Sequence, residues 1–268
     1  MAILNTEVFV DLVKREFKIL PKNYQAHKER RLQAYNYADK TLKYIQQDFQ
    51  SVNTLFDENK ISEKDLVLSF TELALELTSF LYAVGADHGI WKKWSALSGI
   101  GLFLQEKIYE SIEYLILGEE WNFIDRLSKS FSSLHIIQNS TLYEGVISTL
   151  ALSQDCMDFH ASGEDVEEKA WLSLIDSIPS QKYDLTRDCL VEIAEFWMME
   201  DEDNWMQFHP RSYPDFETPV CAVAALACHQ GFPPKGFTTE QYQFLEPGLV
   251  SARLETWFPQ YFELPLAR

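Results

Sequence analysis

Tyr35, Ala38, Leu42, Ile45, Phe49 and Val52 are spaced three and four residues apart, which draws one apolar stripe along a helix. The stripe is a heptad seam under three heptads long, and that length favours a helix packed in a bundle over a dimeric coiled coil. Ser62 and Asp65 form a capping signature that predicts a second helix, with Leu66, Phe70, Leu73, Leu77 and Phe80 inside. Leu68 and Leu75 widen that stripe, which marks the helix as central. Gly85 and Gly89 bracket a break. The next predicted helix holds Leu104, Ile108, Ile112 and Leu115 inside, keeps Glu106, Glu110 and Glu113 outside, and ends near Gly118.

Beyond Gly118 the same period continues. A shorter helix is predicted from Glu119 to Ile137, and Thr141 with Glu144 is a capping box for one that turns Leu142, Val146, Leu150 and Met157 to one face. Ser162 with Asp165 caps a short segment that stops before Pro179. Cys189, Ile193, Phe196 and Trp197 mark a helix running into Glu200-Asp201-Glu202-Asp203. Thr218-Pro219 is a good helix start, since the hydroxyl can cap and proline at the first position loses no needed hydrogen bond. The helix it opens, Val220 to Cys228, is apolar on every side and rich in Ala, as a core helix with close neighbours would be. A short turn from Thr238 and a last helix from Gly248 to Phe258 complete the reading.

No convincing alternating strand interrupts this pattern, so the expected class is all-α: a multi-helix bundle, as one body or as two packed helical domains. The expected boundary lies near 138–140, between a helical domain over 1–138 and an acidic helical domain over 139–268. With 268 residues, 46% hydrophobic content and 14% aromatics, either arrangement has material for a core. The N-terminus lacks the basic-then-apolar order of a secretory signal and no long apolar run follows, so a cytoplasmic protein is expected, with no membrane partner.

Charge changes the picture. Asn139 to Glu217 holds 18 acidic residues against four basic ones (Lys169, Lys182, Arg187 and Arg211), whereas residues 1–48 hold nine basic against six acidic. The formal charge of −18 is therefore placed, and a surface so charged repels nucleic acid and attracts basic partners. The cysteines, at 156, 189, 221 and 228, form no CxxC pair. Cys221 and Cys228 would lie about 10 Å apart along a helix, beyond the roughly 4.4–6.8 Å a disulfide spans, so reduced buried thiols are expected.

The chain has no phosphate-cradling GxxxxGK[ST], no GxSxG elbow and no HExxH, and its six histidines are scattered. Gly99-Ile100-Gly101 is read as helix packing. No cofactor, no metal and no catalytic residue is assigned. Glu200, Asp201, Glu202 and Asp203 oppose the dipole at a helix C-terminus, so they weaken that end. Three readings stay open for them: a solvated end, a partner-docking surface or a magnesium site, the last disfavoured because adjacent carboxylates on a helix diverge. Asp155, Asp158, Glu164, Asp165, Glu167 and Glu168 form a second acidic group, while Trp205 and Tyr213 are candidate aromatic anchors.

Tyr213-Pro214-Asp215-Phe216-Glu217, the Ala-rich stretch Val220–Cys228 and the run Tyr242 to Val250 together resemble the C-terminal domain of the PoNi class of bacterial immunity proteins. Phe216-Glu217 and the Ala-rich helix match that pattern. The family's aromatic pair is replaced by Tyr213 with Pro214 and Asp215, and Pro219 departs from it. The resemblance implies an all-helical, acidic, cytosolic protein that neutralises an antibacterial toxin, often a nuclease delivered by type VI secretion. The expected partner is a cognate toxin or effector with a basic surface, bound stoichiometrically through Glu200, Asp201, Glu202, Asp203, Trp205, Asp215 and Glu217. Whether the protein is a monomer or a homodimer stays open. The alternatives are an acidic helical adaptor or regulator unrelated to toxins, and a magnesium-dependent helical enzyme.

Overall fold

The apolar stripes become helices in the computed structural model, which describes residues 6–31, 38–83, 88–130, 141–152, 165–200 and 218–231. Ten helices and no strand occur among the described residues: α1 (Thr6–Arg31), α2 (Ala38–Asp57), α3 (Glu63–Ala83), α4 (His88–Leu104), α5 (Ile108–Leu117), α6 (Trp121–Ser130), α7 (Leu142–Leu152), α8 (Val166–Ser177), α9 (Tyr183–Glu200) and α10 (Thr218–His229). The class is all-α. Two compact units divide them, α1–α5 in the first and α6–α10 in the second, with the change between Glu119 and Glu120. That point precedes the 138–140 read from the sequence, because α6 is tied forward: Ser128 Oγ donates to the Leu152 carbonyl at 2.6 Å.

Unit one is organised by an aromatic cluster. The Phe17 ring stacks on Phe49 at 3.8 Å, Phe49 on Phe70 at 5.3 Å, and Trp94 meets Phe17 edge-on at 5.6 Å. These contacts join α1, α2, α3 and α4, and the edge-on meeting of Trp94 with Phe17 has a geometry that adds to the burial of the rings themselves. Helix α3 buries Leu66, Phe70, Leu73, Leu77 and Phe80 as its spacing predicted. Its stripe widens on a different flank from the one expected, however. Val67, Thr71, Ala74, Thr78 and Leu81 are buried, whereas Leu68 is 44% exposed and Leu75 only half-buried. The reason is the neighbour: α4 approaches that flank, where the Thr78 and Ser98 hydroxyls share a hydrogen bond of 3.2 Å.

Small residues let α4 come close. A Cβ on Gly101 would lie 2.9 Å from Phe9 Cζ, and one on Gly99 would lie 2.9 Å from the Leu115 backbone nitrogen. Ser111 Oγ donates to the Gly99 carbonyl at 2.8 Å, and Ser95 Oγ to the Tyr114 carbonyl at 2.9 Å, so hydroxyls stitch α4 to α5 across the same gap. Gly99-Ile100-Gly101 is thus a packing device. On α1, the buried Glu16 carboxylate reaches Arg15 at 3.3 Å and Lys93 of α4 at 3.8 Å.

Unit two is built from hairpins. Thr141 and Glu144 form the expected box at the head of α7: the Thr141 amide and hydroxyl donate to Glu144 Oε2 at 2.7 and 2.8 Å. At α8 the expectation needs correction. Asp165 is itself the N-cap, accepting the Glu167 amide at 2.9 Å, and Ser162 lies outside the described residues. Trp171 is buried and donates its indole N–H to Glu167 at 3.1 Å, while Thr186 Oγ1 donates to Ser177 Oγ at 2.8 Å to fasten α8 to α9. In α10, Ala222 to Ala227 are all buried, as a helix apolar on every side requires. The segments read for Met157, Thr238 and Gly248–Phe258 lie outside the described residues.

Helix ends carry a feature the sequence concealed. Asn59, Glu106, Glu119 and Gln181 have φ of 55°, 65°, 54° and 52°, the left-handed region in which L side chains crowd the backbone. Three close paired bonds of the Schellman type: Lys60 to Leu55 at 2.8 Å with Asn59 to Phe56 at 2.9 Å, Lys107 to Leu102 with Glu106 to Phe103 at 3.0 Å each, and Lys182 to Ser177 at 2.9 Å with Gln181 to Ile178 at 3.0 Å. The turn at Glu106 divides what the periodicity reads as one helix into α4 and α5. It also rotates Glu113, expected outside, to 5% exposure, and leaves Leu104 and Ile108 half-buried. Gly89, read as flanking a break, is inside the first turn of α4.

Two outcomes follow from this geometry. Gly99→Ala should lower the free energy of unfolding by about 1–3 kcal/mol, through overpacking against α5, in urea titration of the full chain. Glu106→Gly should raise it by about 0.5–1 kcal/mol, because the left-handed conformation no longer crowds a Cβ. A midpoint that falls on Glu106→Gly would contradict that account.

Candidate interaction surface

Helix α9 has two unlike faces. Thr186, Cys189, Leu190 and Ile193 are buried, and Asp184, Leu185, Asp188 and Glu192 point to solvent. Residues four apart on a helix are surface neighbours, so Asp184, Asp188 and Glu192 form one outward carboxylate stripe. The helix continues through Glu195 to Glu200, whose side chains lie outside the described set. Tyr183 and Leu185, 42% and 43% exposed, put apolar surface beside the start of the stripe.

The stripe is partly neutralised from within. Arg187 reaches Asp184 at 3.2 Å and Asp188 at 2.9 Å, and Lys182 pairs with Asp176. Hydrogen bonding from Lys182, its charge and a hydrogen bond from Ser180 hold the Asp176 carboxyl below the usual carboxylate range. Two cations are therefore set against four carboxylates over 176–192. At the head of α8, Asp165 and Glu167 are occupied by the cap and by Trp171. The second acidic group is thus partly structural.

Of the residues expected to bind a partner, Glu200 is the final residue of α9, its side chain undescribed. Asp201, Glu202, Asp203, Trp205, Asp215 and Glu217 lie outside the described residues. Lys182 and Arg187 are the site residues that sequence reasoning missed as neutralising partners. The Asp184–Arg187 spacing of three was the available signal.

Elsewhere, a surface cleft of about 380 Å³ in unit one is lined by Thr6, Glu63, Lys64, Asp65, Val67, Leu68, Leu104 and Gln105. Its Asp65 is committed to the α3 capping box, accepting the Ser62 amide at 3.0 Å and hydroxyl at 2.7 Å. The Gln105 Nε2 is buried there without a hydrogen-bond partner. Among the described residues no group of three or more His, Cys, Asp or Glu is placed to hold a metal ion, and no helix is long and apolar enough to cross a membrane. The Cys189 and Cys228 thiols are both pushed up by burial, Cys228 to about 12.

The chain matches no family model, no curated protein and no solved structure.

Because the thiolate is the nucleophile, those two cysteines should resist alkylation in the folded protein. With iodoacetamide at pH 8, mapped by mass spectrometry, Cys189 and Cys228 should be labelled only after denaturant is added. Labelling of either at the rate of a small thiol would refute the burial assigned to it.

Proposed function

We propose that this protein is an immunity protein that binds a cationic toxin domain stoichiometrically and blocks it without turnover. The observation that carries the reading is the outward stripe of Asp184, Asp188 and Glu192 on α9, a helix that leads directly into Glu200–Asp203. The charge concentrated over 139–217 and the PoNi-like pattern at Tyr213–Glu217 and Val220–Cys228 support the same reading. A line of carboxylates on a stiff helix steers a basic partner toward it, and apolar residues at its edge supply area that becomes dry on contact. Nuclease domains are a fitting target class, since binding phosphate backbones obliges them to be cationic. Because the site works by occlusion, it needs no acid, base or nucleophile.

Co-expression with the product of the neighbouring gene tests the reading: co-purification as a complex and rescue of growth are expected. Neither occurring would remove the immunity assignment. The surface is tested separately with Asp188→Lys combined with Glu192→Lys. Association measured by stopped flow at low salt should slow by about tenfold or more and become less dependent on salt. Unchanged association kinetics would take α9 out of the interface while leaving the partner's identity intact.

A further inference from the structure

The cleft in unit one lies where helices begin and end: Thr6 opens α1, Glu63 to Leu68 form the first turns of α3, and Leu104 is the last residue of α4, with Gln105 next to it. Its apolar side is Val67, Leu68 and Leu104, and Leu68 is 44% exposed. The same cleft is lined by Gln105, whose Nε2 is buried and has no hydrogen-bond partner. The Gln105 backbone is fixed. Its amide N–H is shared between the Gly101 and Leu102 carbonyls at 3.2 and 3.0 Å, and the two following residues close the turn that ends α4. A buried donor left unpaired costs free energy in the empty protein, and an acceptor carried in by a ligand recovers it.

The charges of the lining decide which acceptor fits. Asp65 is a carboxylate occupied with Ser62, whose side-chain and backbone hydrogen bonds hold it below the usual carboxylate range. Glu63 adds a second carboxylate, and Lys64 is the one cation among the described lining residues. An anion would meet net negative charge there, so the acceptor that suits Gln105 is a neutral carbonyl. Size narrows the choice further. The volume of about 380 Å³ is about a dozen times a water's share of the liquid. That is room for one aliphatic residue with the peptide groups on either side of it. With Leu68 open to solvent, a bound group keeps one side uncovered. A chain that continues in both directions needs such an opening, whereas a free small molecule is usually covered over about 70–90% of its surface.

We propose that this cleft docks one aliphatic residue of a partner polypeptide, its side chain against Val67, Leu68 and Leu104 and its backbone carbonyl accepting from Gln105 Nε2. The site belongs to unit one and owes nothing to the carboxylate stripe of α9, so it stands or falls apart from the immunity reading.

The test is an NMR titration of the ¹⁵N-labelled full chain with two probes, the pentapeptide N-acetyl-Ala-Ala-Leu-Ala-Ala-amide and the fragment N-acetyl-leucine N-methylamide. Both should move the Gln105 side-chain NH₂ resonances, the fragment at about millimolar concentration, as suits its size. Leu68→Gln should weaken pentapeptide binding by about fivefold or more, through loss of apolar contact. Gln105→Leu should weaken it by about fivefold, the size of one hydrogen bond, and should leave the thermal midpoint unchanged or higher because an unmatched donor is gone. No movement of the Gln105 resonances with either probe at about 10 mM would overturn the proposal. Binding of the fragment but not of the pentapeptide would make this a small-molecule site and overturn the peptide assignment. A lower thermal midpoint in Gln105→Leu would give the amide a structural role and overturn the proposal equally.

Discussion

Close approach between helices is the constraint on which unit one depends. Helix α4 can lie against α3 and α5 because Ser95, Ala96, Ser98, Gly99 and Gly101 present almost no side chain at the crossing. Where the backbones come that near, hydroxyls bond directly to carbonyls of the neighbour, as Ser111 does with Gly99. The large side chains are displaced to the other side of α3 and α4, where Phe17, Phe49, Phe70 and Trp94 fill the space that α1 and α2 enclose. Small residues set the spacing, and aromatic rings then occupy what the spacing leaves.

Much of this was legible in the sequence, for an identifiable reason. Caps are local: Ser62 with Asp65 and Thr141 with Glu144 act over three residues and need no knowledge of the fold. Stripes are nearly as local, so α3, α7, α9 and α10 could be placed from spacing. What was hidden depends on partners or on backbone states that residue type does not announce. Glu106 and Gln181 occupy a left-handed position usually given to glycine, so nothing in the sequence marked the turns they make. Leu68 reads as core by periodicity, yet α4 settles on the Val67 flank and leaves it in solvent.

The acidic surface shows a second kind of limit. Counting charges along a chain treats each as independent, whereas in space one guanidinium serves two carboxylates, as Arg187 serves Asp184 and Asp188. Others are occupied in holding the backbone: Asp165 caps α8, and Glu167 receives the Trp171 indole. The part of the negative charge available to a partner is therefore smaller than the composition suggests, and along the described part of α9 it increases toward Glu192.

The placement of α10 bears on how the chain is made. Its six consecutive buried residues pack on α7 and α9, but α8, α9 and a further stretch of chain separate it from α7. Unit one draws its helices from the first 119 residues. During synthesis it can therefore close while the ribosome is still adding the remainder. Unit two must wait with an uncovered apolar face until Ala222 to Ala227 emerge. In that interval α7 and α9 present the surface most open to chaperones or to misassociation.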